Sequence, residues 1–403
     1  MLLIGVDQSH KEHEVCIIDV TGCQLARLSV PHSAIGFRRL HECRQMLQVP
    51  PQECLVALES SHSLMVDYLL DHQYMVYVIP GKAVDRYRDR HRQSRSCSDK
   101  GDAAALAHIL RTDRELYTPW EADMPLTRQI RSQVKSVLNL KRAVVRFGNQ
   151  LRSLLWRYYP VAANLFSDLD ALIALEFIQA YPTPQAAKRL TQAEFTAFCR
   201  AHKYRRSDYI SRRYAQLLNA QTYASPEVAA AYAGQAQTLA RVLHFLVAER
   251  DAAQKELTRT FKQHPDAHIF ASLPGAGKFL APALLSKFRD CRARFPTAAV
   301  AQAIAGTSPV TNQSGNKRRV LFRRACDREF RYFATQFSRT SVKEAPWAAA
   351  YLATVRPRCD KASHAYRCLA NRWIPIIWRL WMDRVEYDES VHLRNRFANR
   401  NRS

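Results

Sequence analysis

Ser98-Asp99-Lys100-Gly101-Asp102-Ala103-Ala104-Ala105-Leu106-Ala107-His108 opens with two carboxylates three residues apart and runs into an alanine-rich segment of high helix propensity. Asp99 and Asp102 therefore fall on one face of a helix's first turn, where the helix dipole favours anions. Alone, the pair reads better as an N-cap at Asp99 followed by an ordinary first-turn acid. Two further acids weigh against that. Leu2-Leu3-Ile4-Gly5-Val6 is an apolar run ending in Asp7, and Leu55-Val56-Ala57-Leu58 is another ending in Glu59. A carboxylate at the end of a buried strand is costly unless it is paired or bound to metal. Asp7, Glu59, Asp99 and Asp102, in a chain of formal net charge +24, predict a site for hard divalent cations with oxygen ligands, one or two Mg2+ ions.

The order of elements around these acids is that of a mixed α/β domain. Glu14–Val20, a Thr21-Gly22 turn and Gln24–Val30 continue the first strand into a three-stranded meander. A helix over Ala34–Met46 stops before Pro50-Pro51, and then come the strand ending in Glu59, a helix over Leu64–Leu70 and the strand Met75–Ile79. Strands that first meander and then alternate with helices follow the pattern of the ribonuclease-H-like fold, with helices on the faces of a mixed sheet. Between the last strand and Ser98 lies Lys82–Arg95, in which Arg86, Arg88, Arg90, Arg92 and Arg95 are interleaved with Tyr87 and His91. This segment either holds phosphates near the acids or is a solvated basic loop.

With 60 Lys and Arg against 36 Asp and Glu, the natural partner is a polyanion. A membrane is a poor alternative, because no apolar run approaches the roughly 18 residues of a spanning helix. Ten cysteines are scattered with no Cys-x-x-Cys pair and no Cys/His grouping at zinc spacing, which predicts free thiols in a reducing cytoplasm. The first residues read as a strand and not as a secretory signal.

Residues 113–125, with Pro119 and Pro125, read as a linker. Over Leu126–Tyr159 the apolar residues Leu126, Ile130, Val134, Val137, Val144, Leu151 and Leu155 fall on one side of a long helix. Arg128, Arg131, Lys135, Arg142, Arg146 and Arg157 fall on the other. A solvated face usually mixes signs, so this nearly all-positive stripe is a candidate for nucleic-acid backbone contact. Helices follow around Leu169–Ala180 and Gln192–His202, and a second long helix over 226–262 opens at Pro226-Glu227. Two long helices around a helical insert predict a coiled-coil-like arm, suited to dimer contacts or to spanning a nucleic acid.

In the last part, Leu273-Pro274-Gly275-Ala276-Gly277 between two apolar helical segments reads as a helix-hairpin-helix turn that brings amides to a phosphate, or as a plain turn. After a helix over Ala298–Ala305, Gly306 to Arg319 form a loop rich in hydroxyls and amides that runs into Lys317, Arg318 and Arg319. Such a loop either presents a nucleophilic hydroxyl with cations to hold a phosphodiester, or is a phosphate-binding or ordinary Ser-Gly turn. From Leu321 the chain is helical, basic and aromatic, and Arg394–Ser403 read as a basic end.

Gly5-Val6-Asp7, Glu59, Ser98-Asp99-Lys100-Gly101-Asp102-Ala103 with Leu106-Ala107, the Leu-Pro-Gly-Ala-Gly turn, and Ala305-Gly306-Thr307-Ser308-Pro309 leading to Gln313-Ser314-Gly315 stand in the order of a known family. In these motifs the chain resembles the DEDD-type transposases of insertion sequences that end in a serine-bearing domain, the bridge-RNA-guided serine recombinases. Ser60-Ser61-His62 departs from the small Thr-Gly pair associated with the family after the second acid. The resemblance implies DNA strand exchange directed by a structured noncoding guide RNA that pairs with target and donor DNA. It maps Asp7, Glu59, Asp99 and Asp102 onto a RuvC-like acidic quartet and Ser314 onto the catalytic serine. Lys317, Arg318 and Arg319 inherit no role and are only candidates for holding phosphate.

The expectation is an α/β plus α protein: a RuvC-like (ribonuclease-H-like) domain over 1–112, a linker and long-helix coiled-coil region over 113–266, and a mostly helical transposase domain over 267–403. It acts as a cytoplasmic, nucleoid-associated homodimer or homotetramer on double-stranded DNA. The alternative is a metal-dependent resolvase in which water attacks and Ser314 only binds phosphate. A non-catalytic nucleic-acid scaffold follows if the four acids do not converge.

Overall fold

The computed structural model describes residues 1–60, 63–91, 98–220, 224–315 and 317–390. Ser61, His62, Arg92, Arg95, Asn316 and the basic end Arg394–Ser403 lie outside them. The chain divides into two compact units, Met1–Met124 and Pro125–Ser403.

The first unit is built on β1 (Leu2–Asp7), β2 (Glu12–Ile18) and β3 (Gln24–Pro31), then α1 (Ala34–Met46), β4 (Cys54–Leu58), α2 (Leu64–Asp71), β5 (Met75–Val78), α3 (Gly81–His91) and α4 (Asp99–Asp113). The sheet order is β3-β2-β1-β4-β5. The meander β1-β2-β3 pairs antiparallel, and β4 and β5 are added parallel to β1. This is the expected ribonuclease-H-like arrangement. β1 as far as Val6, and β4 throughout, are apolar because helices cover both sheet faces. Leu2, Ile4 and Val6 point to a core shared with Phe37, Leu40, Met65 and Leu69 of α1 and α2, while Leu3 faces Leu106 and Ile109 of α4 on the other side.

Three local expectations are corrected in this unit. The cap of α4 is Ser98, whose hydroxyl accepts from the Gly101 amide at 3.2 Å, so Asp99 is not the cap. The basic segment after β5 is no loop as far as it is described. Gly81–His91 form α3, anchored by the buried Val84. Residues 113–124 stay with the first unit instead of linking: a 3-10 turn (Arg114–Leu116) follows α4, and the Trp120 amide donates to the Val76 carbonyl at 2.6 Å.

The second unit comprises α5 (Pro125–Tyr158), α6 (Pro160–Asn164), α7 (Leu172–Ala180), α8 (Pro184–Lys188), α9 (Gln192–Ala201), α10 (Ser207–Leu218), α11 (Pro226–Lys262), α12 (Ala267–Ala271), α13 (Gly277–Phe288) and α14 (Ala298–Ile304). The hairpin strands β6 (Val310–Ser314) and β7 (Lys317–Leu321), then α15 (Arg328–Ser341), α16 (Pro346–Val355) and α17 (Ala362–Asp383), complete it. The 34 residues of α5 reach about 50 Å at 1.5 Å per residue. The first half of α5 (Ile130, Val134, Val137) shares a core with the end of α11 (Leu257, Phe261), and its second half (Leu151, Leu155) shares another with the start of α11 (Ala229, Ala236, Ala240). The two helices are thus antiparallel, and their seam on α11 is lined by Ala229, Ala233, Ala236, Ala240 and Leu243 at alternating spacings of four and three. The insert α6–α10 closes one core. The aromatic rings of α13–α17, Phe288, Phe330, Phe333, Phe337, Trp373 and Trp381, fill the other.

Two expectations change here as well. Gly275 (φ 73°) is indispensable to the α12–α13 turn, since a Cβ there would lie 2.7 Å from the Thr340 backbone, but its amide is held by Glu344 Oε2 at 2.7 Å and is not offered to a phosphate. The segment expected as a loop after α14 is instead the β6–β7 hairpin, turning at Gly315 with φ 53°. Apart from the half-buried Val310 the hairpin is exposed on both faces, so polar residues fall on both sides and it carries no alternation by which a strand is recognised.

Every cysteine among the described residues is a free thiol, as expected. The expected lack of a Cys/His grouping does not survive folding: one ligand atom each from Cys359, His364 and Cys368 lie within 4.8 Å of one another. The intervals of four and three residues across a helix start kept this grouping out of the familiar zinc spacings. Among the described residues no helix is long and apolar enough to cross a membrane.

Residue 5 controls the seating of α4. A Cβ on Gly5 would lie 1.9 Å from the Ala103 carbonyl oxygen and 2.5 Å from the Ala107 nitrogen, both backbone atoms. Gly5→Ala is therefore expected to destabilise the first unit by about 3 kcal/mol, the upper range of overpacking costs. Its chemical-denaturation midpoint, with Gly148→Ala as the control, measures this, since nothing lies within 4 Å of a Cβ at Gly148.

Candidate active site

Sheet register brings two acids to one edge. Val6 pairs with Leu58 in parallel strands, so Asp7 and Glu59 emerge side by side one residue later. Gln8 ties the two strand exits together: its side chain accepts from the Ser60 amide at 3.0 Å and donates to Ser63 Oγ at 2.7 Å. Helix α4, lying against β1 at Gly5, adds Asp99 and Asp102 from its first turn. Gly81 leaves room at the start of α3, where a Cβ would stand 3.0 Å from Glu59 Oε2.

The four carboxylates sense one another. Burial first, then the charges of Asp99, Asp102 and Glu59, push the Asp7 carboxyl up to about 6. Glu59 is raised by burial and by Asp102 and Asp85, against the opposing pull of Arg88. The guanidinium of Arg88 lies among the acids, its Nη1 on Asp102 Oδ1 and Oδ2 at 2.7 and 3.0 Å and its Nη2 on Asp85. No three of the four acids bring an oxygen each within 4.8 Å of one another in this arrangement. The donor chemistry nonetheless fits a hard divalent ion: four carboxylates, no nitrogen or sulfur, at a strand edge where their mutual repulsion is only partly offset by one arginine. Sequence reasoning singled out the acids but missed Gln8, Gly81 and the position of Arg88. Gly5, a glycine inside a strand, did carry the signal of a close backbone approach.

Ser314 lies in the second unit, at the exposed end of β6, directly opposite Lys317. The next pair on the same face of the ribbon is Asn312 with Arg319, whereas Arg318 pairs with Gln313 on the other face. Of the three cations, Lys317 and Arg319 thus flank the serine hydroxyl and Arg318 does not. The hairpin is held at its root by Arg323, which donates to the carbonyls of Ser308 and Pro309 at 3.2 and 3.3 Å.

The basic stripe on α5 divides. Arg142 and Arg146 are exposed, Arg128 and Arg131 are half-buried, and Lys135 donates to Glu329 at 2.7 Å. Glu329 also accepts from Lys287 at 3.2 Å, so Lys135 is engaged within its own unit.

Two measurements follow. A carboxyl raised from 3.8 to about 6 on folding binds its proton more tightly in the folded chain, so its stabilising contribution is complete below pH 4 and lost as pH rises through 6. Melting temperature of EDTA-treated protein is expected to fall between pH 5 and 7 by more in the wild type than in Asp7→Asn, and divalent ions are expected to restore the loss at pH 7. Reversing both Arg142 and Arg146 to Glu is expected to flatten the salt dependence of duplex binding by about two units of log–log slope, at roughly 0.9 per phosphate contact. An unchanged slope would mean that this face is only solvated.

A transposase model for the DEDD domain of IS110 elements matches residues 4–160, and one described as "Transposase IS116/IS110/IS902 family" matches residues 267–353. The Streptomyces coelicolor protein named "Mini-circle putative transposase for IS117" is 31% identical over 402 residues, covering 96% of this chain and 95% of its own. The "Insertion element IS900 uncharacterized 42 kDa protein" of Mycobacterium paratuberculosis is 25% identical over 335 residues, 81% of each chain. The "Insertion element IS116 uncharacterized 44.8 kDa protein" of Streptomyces clavuligerus is 22% identical over 385 residues, 94% of each chain. A DEDD domain of this kind works with divalent metal, and a transposase binds DNA. With matches at both ends and a relative aligned along nearly the whole length, this chain belongs to the IS110 family of transposases, enzymes of DNA transposition with a DEDD domain followed by a carboxy-terminal transposase domain.

Proposed function

We propose that this transposase is an RNA-guided DNA recombinase in which Asp7, Glu59, Asp99 and Asp102 hold Mg2+ and Ser314 is the nucleophile. The observation that carries the reading is that four acids from β1, β4 and α4 come to one sheet edge, where burial first and then the charges of the other three push Asp7 up to about 6. When bound, Mg2+ would neutralise charge on a scissile phosphate and lower the pKa of an attacking hydroxyl.

The residues themselves do the rest. Ser314, at the tip of the ribbon, presents its hydroxyl to a phosphodiester that Lys317 and Arg319 hold from the same face. Attack forms a phosphoserine ester and breaks the bond to a deoxyribose oxygen, which leaves as a hydroxyl on taking up the proton that the serine gives up. A hydroxyl from the partner strand then reverses the step, so the energy of the broken bond is kept for rejoining, as hydrolysis would not allow. Arg88, which holds Asp102 at 2.7 and 3.0 Å, is the counter-charge that a bound ion would compete with. The guide RNA and the homodimeric or homotetrameric assembly are supported by the family resemblance and by the large excess of cations, +24 overall.

A suicide DNA substrate with the cognate RNA tests the reading. Wild-type protein is expected to give a DNA adduct that survives SDS, and Ser314→Ala none, with duplex binding reduced less than twofold. Asp7→Asn and Asp102→Asn are expected to bind nucleic acid but lose cleavage by more than a hundredfold. An adduct from Ser314→Ala would overturn the serine assignment. Hydrolysed ends in place of joined products would favour the resolvase in which water attacks.

A further inference from the structure

Outside the acid site, one set of side chains has the composition of a metal centre. Cys359 closes the 3-10 turn Arg356–Arg358, and the backbone there is held twice: the Cys359 amide donates to the Arg356 carbonyl at 3.2 Å, and Arg356 Nη1 donates to the Cys359 carbonyl at 2.8 Å. His364 and Cys368 stand four residues apart on the first two turns of α17, so they share one helix face. The fold thus brings one ligand atom from each of the three within 4.8 Å, from a pinned turn and a helix that need no rearrangement to present them.

We propose that Cys359, His364 and Cys368 bind one Zn2+ ion per chain. Two sulfurs and an imidazole nitrogen match the borderline-soft character of zinc and exclude Mg2+, which takes oxygen ligands. The two metals therefore sort between the two sites by donor type alone. Binding deprotonates both thiols, releasing two protons, and Zn2+ with two thiolates and a neutral imidazole carries no net charge.

The position of the site suggests what the ion does. Cys359 is buried, whereas His364 and Cys368 line a cavity of about 580 Å³ whose other walls include Ser308, Pro309 and Arg323 at the root of the β6–β7 hairpin. No fourth Cys, His, Asp or Glu among the described residues joins the three, so a tetrahedral ion held here would take solvent or an anion as its fourth ligand. The ion would clamp the turn at Cys359 to α17 and thereby fix the wall on which the hairpin stands.

The full-length protein decides this. Purified with zinc supplied and dialysed without chelator, it is expected to hold one zinc per chain by elemental mass spectrometry, falling to near none in Cys359→Ser and Cys368→Ser. Cys23→Ser, an exposed cysteine outside the grouping, is expected to keep the full amount. Replacement by Co2+ is expected to give the thiolate-to-cobalt charge-transfer band and the visible bands of a tetrahedral centre. Both should persist in Asp7→Asn and vanish in Cys368→Ser. Should a cysteine variant fail to fold, the cobalt spectrum of the wild type still decides. Three results would overturn the proposal: no thiolate band in the wild type, zinc lost from Asp7→Asn and retained in Cys368→Ser, or a Cys359–Cys368 disulfide in protein kept under reductant.

Discussion

One missing methyl group sets the geometry of the first unit. Helix α4 rests on the backbone of β1 because Gly5 has no Cβ, and the Ala103 carbonyl occupies the space that any other residue would fill. A helix lying on a strand at this distance cannot slide by a turn without opening a void, so the first turn of α4 is held against the exit of β1. The small side chains of α4, Ala103 and Ala107 among them, serve the same closeness from the other side. The acids are thereby positioned by apolar packing, and packing is what allows like charges to be held together at all.

That arrangement stores repulsion. Folding buries Asp7 and places it among three other carboxylates, and both make its proton harder to remove, so the first unit gives up stability at neutral pH to keep the site assembled. Arg88 relieves part of the cost through its two contacts with Asp102. An internal cation on a short helix is a reversible partner. It lowers the energy of the acids at rest and can be displaced by a stronger counter-charge, whereas a buried hydrophobic plug could not.

The sheet and its acids were legible because buried parallel strands are apolar along their length, so a carboxylate at the end of such a run is conspicuous. The long helices were legible for a related reason, since a stripe of period 3.6 persists over many turns in α5 and α11. What could not be read depended on partners distant in sequence. Arg88 looks like its neighbours Arg86 and Arg90 until the fold sets it beside Asp102. Gly275 looks free to face a phosphate until Glu344 takes its amide. The β6–β7 ribbon has no buried face, so its strands lack the alternation that burial writes into a sequence. Cys359, His364 and Cys368 are ordinary in order and spacing, and become a group only when the turn before α17 folds back against the helix.

Among the described residues the ribbon that carries Ser314 has no third strand, and Val320 and Leu321 are left 63% and 45% exposed. A two-stranded ribbon alone in water is marginally stable, so its order has to be completed by whatever it touches. The entropy of fixing it is then charged to the encounter, and binding is weaker than the contact area alone would give. On the function proposed above, the serine hydroxyl at its end would then be aimed only in the bound complex.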